Sequence, residues 1–257
     1  MSHRLGQVFL HDANILTKLM TCVTRQDTQH CVEVGCGDGI LSEALARVST
    51  RLSIIEADKD CLDATRLRLG TTQAHIQYYH ADIRQFPGAN LQPQPYQWVS
   101  NLPYYISAKF MQKLVAERNL WQTATLMLQR EFAQKLVALP GDKLYSSLGL
   151  YCPYYLSIQY EFAPSKTCFY PVPAVESAVI TCRPNTDLIP VNTDVLFRII
   201  RSAFWGRRKP LLSALKKSPY FTWLPDYEAT LTPLLGRHRG ETLSLENFCE
   251  ITACISD

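Results

Sequence analysis

Cys31-Val32-Glu33-Val34 is a short strand-like run that stops at three glycines set at alternate positions, Gly35-Cys36-Gly37-Asp38-Gly39, and helical spacing follows at once from Ile40 to Val48. Strand, tight turn and helix in that order form the first unit of a parallel sheet, and the chain repeats it. Leu52 to Ile55 reads as a strand, Asp60 to Leu69 as a helix, Ile76 to Tyr79 as a strand ending just before Asp82, and Trp98-Val99-Ser100 as another, followed by a helix from Ala108 to Glu117. A helix over residues 12–25 precedes the series, and the apolar run Ala124 to Leu128 continues it. This alternation predicts an α/β fold with an open, mostly parallel sheet covered on both faces.

The pattern then changes. Tyr155 to Phe162 and Ser177 to Cys182 are strand-like, and the proline-rich turn Phe169-Tyr170-Pro171-Val172-Pro173 between them is too short for a helical crossover. Their pairing is therefore expected to be antiparallel, giving a mixed sheet with an antiparallel last strand. Arg183 to Pro190 has the composition of a linker, and only helical patterns follow it. A boundary near residue 185 divides the chain into a domain over 1–184 and a small all-α domain over 185–257, with no internal repeat.

Composition excludes several classes. The chain has 257 residues, 47% of them hydrophobic, enough for one full core and a small second domain. A net charge of +3 does not by itself call for a nucleic-acid partner. The nine cysteines include no C-x-x-C pair, which disfavours a disulfide framework or a zinc site of that spacing and suits reduced thiols in a cytoplasmic setting. Met1 to Gln7 leads into no long apolar stretch, and charges interrupt every run approaching the roughly 18 residues of a membrane span, so neither export nor insertion is expected.

The glycines read G-x-G-x-G rather than the G-x-G-x-x-G that serves a pyrophosphate, so a ligand without one is the better fit. Glu56 ends the second strand, where a carboxylate can accept from both hydroxyls of a ribose, and Asp82 follows the third, where it can accept from an adenine amino group. Each acid alone fits a helix cap equally well. Glycines, Glu56 and Asp82 at successive strand ends of one sheet point to a single adenosine-containing ligand.

Asn101-Leu102-Pro103-Tyr104 leaves the fourth strand at the same edge. Asn-x-Pro-aromatic is by itself an ordinary turn. Beside a bound nucleoside it can do chemistry. An adenine amino group is a poor nucleophile because its lone pair is delocalised into the ring. Accepting its hydrogens at the Asn101 side-chain oxygen and a proline-fixed carbonyl pushes it toward a reactive tetrahedral form. Tyr104 offers a stacking face, worth about 1 to 3 kcal/mol per base.

These residues together resemble S-adenosylmethionine-dependent adenine N6-methyltransferases. Further blocks narrow the resemblance to the KsgA-type small-subunit ribosomal RNA adenine dimethyltransferases: Gly6-Gln7-Val8-Phe9-Leu10, Leu128-Gln129-Arg130-Glu131-Phe132, Ala138 to Tyr145, and Phe169 to Val179 with its F-x-P-x-P-x-V-x-S-A-V pattern. The resemblance runs from residue 6 to about residue 215. It implies a Rossmann-like methyltransferase sheet and dimethylation of two adjacent adenines near the 3′ end of small-subunit rRNA, a step in ribosome biogenesis. Carried over by position, Val8, Leu10, Gly35, Gly37, Glu56, Asp82 and Asn101 bind S-adenosylmethionine; Asn101, Leu102, Pro103 and Tyr104 hold the target base, with Phe169 stacking on its other face. Val8 replaces the usual Asn or His, which removes a polar side-chain contact near the methionine moiety, and Ala108-Lys109 replaces the usual Thr/Ser-Pro. No metal is implied, and His3, His11, His75 and His80 read as surface residues.

Between Arg198 and Lys217 lie seven basic residues and no acidic one, with Phe204-Trp205 among them. Such a stripe suits a phosphate backbone, and it also fits a solvated helix face. Its Ala203-Phe204-Trp205-Gly206-Arg207-Arg208-Lys209 resembles the family's A-F-x-x-R-R-K, which assigns Arg201, Arg207, Arg208 and Lys209 to RNA. The expected partner is small-subunit rRNA in an assembling particle, met by a monomer. A single-site large-subunit methyltransferase of the macrolide-resistance type and a non-catalytic assembly factor are the alternatives.

Overall fold

The computed structural model describes residues 8–25, 29–70 and 75–255. Gly6, Gln7 and His3 lie outside the described residues. The chain divides into two compact units: residues 1–133 with 156–184, and residues 134–155 with 185–257.

In the first unit the elements in chain order are β1 (Phe9–Leu10), α1 (Ala13–Thr24), β2 (His30–Val34), α2 (Ile40–Val48), β3 (Arg51–Glu56), α3 (Lys59–Leu69), β4 (Ile76–His80), β5 (Tyr96–Asn101), α4 (Ser107–Ala116) and β6 (Trp121–Gln129). α5 (Arg130–Val137) crosses the division, and α6 (Leu148–Tyr155) belongs to the second unit. β7 (Leu156–Phe162), β8 (Phe169–Tyr170) and β9 (Ser177–Pro184) return to the first. Seven strands form one sheet in the order β4-β3-β2-β5-β6-β9-β7. The expected mixed sheet is borne out. β4, β3, β2, β5 and β6 run parallel to one another, and β9 is antiparallel to both β6 and β7. Last in the chain, β9 is second from the edge in space.

All five residues of β2 are buried, because a parallel strand is covered on both faces. Leaving β2, the chain winds first toward β3 and β4 and then returns to β5 on the other side, so the order reverses at β2. A crevice therefore opens beyond the carboxyl ends of β2 and β5. Asp12 and Asp58 cap α1 and α3 by accepting from backbone N–H groups in each first turn. A separate two-stranded ribbon pairs β1 with β8, with Leu10 opposite Phe169.

The second unit also contains α7 (Thr193–Trp205), α8 (Leu211–Lys217), α9 (Tyr227–Leu235) and α10 (Leu245–Ala253). A single boundary near 185 leaves Gln134–Tyr155 in the first domain, whereas here that segment packs in the second unit. Tyr145, Leu150 and Tyr154 are buried with Leu196, Ile199 and Phe248. The Tyr145 hydroxyl donates to the Leu243 carbonyl at 2.7 Å, and that of Tyr154 to the Ile189 carbonyl at 2.7 Å. Sequence order hides this because β7 intervenes before the chain returns. No helix among the described residues is long and apolar enough to cross a membrane.

Candidate active site

Four strand ends line one cleft that opens to solvent. Val8, Leu10, Gly35, Gly37, Glu56, Asp82, Asn101, Leu102, Pro103 and Tyr104 all line it, with Phe9, Ile83 and Tyr105.

The glycine turn explains its own spacing. Gly35, Gly37 and Gly39 have φ of +76°, +56° and +82°, a region that side chains with Cβ adopt at a cost of about 1–2 kcal/mol. At Gly37 space is short as well: a Cβ there would lie 3.0 Å from Cε1 of Phe9. The ring of Phe9 thus closes over a bare backbone, a contact that assigning Val8 and Leu10 alone passes over.

Glu56, 7% exposed, sits at the base of the cleft. One carboxylate oxygen accepts from the Asp58 N–H at 2.9 Å and the other from the Gly37 N–H at 3.4 Å. Each oxygen keeps a lone pair for a further donor, such as a ribose hydroxyl. Asp82 is ionised and oriented by Arg84: Nε approaches the two oxygens at 3.0 and 2.9 Å, and Nη2 approaches Oδ2 at 2.5 Å. These bonds hold its carboxyl below the usual carboxylate range. Behind the glycines, Glu33 is fully buried and accepts from Ser42 Oγ at 2.5 Å, and burial pushes its carboxyl up to about 8.

Asn101 is half-buried, and its Nδ2 donates to the Val8 carbonyl at 3.2 Å. That bond fixes the amide, since only the nitrogen can donate, and leaves Oδ1 as an acceptor. Residue 8 acts through its main chain, so the polar side chain that Val8 lacks is not what holds the amide. The Leu102 N–H donates to the Met127 carbonyl at 3.1 Å, and the Leu102 carbonyl accepts no hydrogen bond among the described residues. Pro103 fixes the chain at φ −54°. Tyr104 is half-buried, and its hydroxyl bonds Ser177 Oγ at 2.7 Å, tying the loop after β5 to the start of β9. Burial pushes that phenol's pKa up, so it is a neutral hydroxyl.

Phe169 departs from expectation. It is 1% exposed, packs in the core with Leu10 and Val179, and is not among the cleft-lining residues, because pairing of β8 with β1 turns it inward. The exposed aromatics of these loops are Tyr105, at 57%, and Tyr170, at 67%. Among the described residues no cluster of His, Cys, Asp or Glu could hold a metal.

The sequence matches the family of ribosomal RNA adenine dimethylases over residues 1–225. The ribosomal RNA small subunit methyltransferase A of Chlamydia muridarum is 35% identical, covering 98% of this chain and 91% of that protein. That of Coxiella burnetii is 33% identical, covering 98% and 96%. The chain belongs to the ribosomal RNA adenine dimethylase family. Two solved structures share its fold: a dimethyladenosine transferase from Plasmodium falciparum, TM-score 0.82 at 22% identity over 95% of each chain, and the 23S rRNA methyltransferase ErmE, TM-score 0.74 at 21% identity over 97% of this chain and 100% of that one. As a member of this family the protein is an enzyme that methylates adenine in ribosomal RNA.

For such a dimethylase the basic segment of the second unit is the second candidate site, and the structure sorts its cations. Arg207 is committed internally: Nε donates to Glu241 at 2.7 Å and Nη2 to the Asp142 and Lys143 carbonyls at 3.1 and 3.0 Å. Through Nε and Nη2 its planar fork holds a loop, so those donors are not offered to RNA. Arg201 is exposed with its guanidinium 3.8 Å from the centroid of the Tyr220 ring, and Arg208 and Lys209 are exposed. Lys209 lies over the ring of Trp205, itself 46% exposed, whereas Phe204 packs against the helical core.

Proposed function

We propose that this enzyme transfers methyl groups from S-adenosylmethionine to the exocyclic amines of two adjacent adenines near the 3′ end of small-subunit rRNA. The observation that carries the chemistry is the Asn101 amide, held by the Val8 carbonyl with Oδ1 free at the mouth of the cleft.

The residues fit an adenosyl donor. The glycine turn offers a backbone without Cβ, Glu56 offers two acceptor oxygens for ribose hydroxyls, and Asp82 offers an anion for an amino group. When bound, S-adenosylmethionine supplies a methyl group already activated on a sulfonium. The chain's own residues then need only bind and orient. Asn101 Oδ1 and the Leu102 carbonyl accept the two hydrogens of the target amine and localise its lone pair. Pro103 fixes the second acceptor, and Tyr104, anchored through Ser177, presents its ring to the base. The methylated nitrogen is acidic enough to lose its proton to water, so no side-chain base is required.

In the second unit Arg201, Arg208, Lys209 and Trp205 form the RNA-facing set, supported by their exposure. The reading carries with it a cytoplasmic monomer acting on an assembling small subunit.

The test is to incubate the protein with labelled S-adenosylmethionine and unmodified small subunits, large subunits or free rRNA, then identify the methylated nucleoside by mass spectrometry. Dimethyladenosine at paired positions in small-subunit RNA is expected. Label confined to the large subunit, or RNA binding without label, overturns the reading.

A further inference from the structure

Arg84 is not a cleft-lining residue and is exposed, with 48% of its side chain accessible, yet it bonds directly to Asp82, which is one. Asp82 opens a turn in which its carbonyl accepts from the N–H groups of Gln85 and Phe86, and its Oδ1 accepts from the Arg84 N–H at 2.9 Å. The Arg84 side chain then folds back and grips both carboxylate oxygens. A carboxylate on a loop is ordinarily free to rotate about its terminal torsion. Here a planar fork on one edge fixes that rotation and leaves the remaining lone-pair directions for one further donor. The same guanidinium lies 5.8 Å from the centroid of Tyr105, a cleft-lining residue of the loop that carries Asn101. One side chain therefore touches the group expected to read the adenine of the donor and the loop expected to hold the target base.

We propose that Arg84 is a positioning residue that sets the selectivity of the cofactor cleft for a donor with an exocyclic amino group, by holding the Asp82 carboxylate with one acceptor edge aimed into the cleft. This rests on the reading of Asp82 as the adenine partner. An ionised, rigidly held acceptor rewards an amino group and opposes the carbonyl oxygen that replaces it in a hypoxanthine analogue, because oxygen faces oxygen. A carboxylate free to rotate discriminates less, since it can turn away from the wrong partner.

The experiment is isothermal titration of the purified enzyme with S-adenosylhomocysteine and, separately, S-inosylhomocysteine, which differ at C6, an amino against an oxo group, and at the adjacent N1, an acceptor against an N–H. The expected preference of the native protein for the adenosyl ligand is at least about tenfold. Arg84→Ala is expected to lower that ratio about three- to tenfold and Arg84→Lys to restore it in part, because an ammonium supplies charge without the fork. Asp82→Asn is expected to collapse the ratio. Thermal unfolding of each variant, with unchanged Tm, shows that the fold persists. If Asp82→Asn collapses the ratio while Arg84→Ala leaves it unchanged, or lowers affinity for both ligands equally, the role given to Arg84 is wrong. If Asp82→Asn leaves the ratio unchanged, the reading of Asp82 is wrong and the proposal falls with it.

Discussion

The cleft in the first unit and the basic segment in the second treat their charged groups in opposite ways. In the cleft, Glu56 and Asp82 are held by backbone and side-chain donors that still leave acceptor capacity facing the space. In the basic segment, the cation at the centre of the motif, Arg207, has Nε and Nη2 committed within its own unit, and the more exposed charge lies at its neighbours. A parallel sheet places residues by strand end, so position in the chain gives position in the site. A helical bundle places them by packing, and counting charges does not separate a clamp from a contact.

The comparison can be broken first at the cleft. Asn101→Ala removes the oriented acceptor and is expected to lower the single-turnover methylation rate by about 10²- to 10³-fold, with RNA affinity in a filter-binding assay little changed. Retained turnover would remove Asn101 from the chemistry. A smaller effect separates the clamp from the contacts. Arg207→Ala is expected to cost about 2 kcal/mol of stability through its lost charge-assisted hydrogen bonds, lowering Tm by several degrees in calorimetry while the salt dependence of RNA binding stays the same. The double variant Arg208→Ala, Lys209→Ala should do the reverse, leaving Tm unchanged and reducing the slope of log K against log salt by about 1 to 2. If Arg207→Ala alone flattens that slope, the distinction between clamp and contact fails.

Glu33 gives the mildest test. Its folded pKa is raised from 4.5 to about 8, so its protonated form contributes stability that is complete below the unfolded value and is lost as pH rises through about 8. A Tm series from pH 5 to 9 should therefore decline for the native protein and be flatter for Glu33→Gln. Equal slopes would mean that the buried carboxyl is ionised in the folded state.

Much of the first unit was legible in the sequence for the reason its site is compact. Short strand runs separated by helices leave few arrangements for a parallel sheet, and the crevice rule then gathers Gly35, Glu56, Asp82 and Asn101. What escaped was carried by the backbone or by partners far along the chain. That the Val8 carbonyl holds Asn101 has no signature in residue identity. The Ser177 hydroxyl that anchors Tyr104 was present as the serine of the F-x-P-x-P-x-V-x-S-A-V block, without a sign of what it bonds. The family resemblance made Phe169 a stacking platform, and pairing across β1 and β8 turns it inward. The segment 134–155 joined the second unit through tyrosines whose partners lie up to 98 positions away.

The β1–β8 ribbon has a consequence for synthesis. Every residue proposed to face the cofactor is in the chain once Asn101 has been made, but the carbonyl that aims its amide lies next to a strand whose partner is Phe169–Tyr170. A growing chain shorter than about 170 residues therefore has the strand-end residues in place but not the partner strand of the ribbon. The aim of the amide is thus expected to depend on a segment made about 70 residues after it.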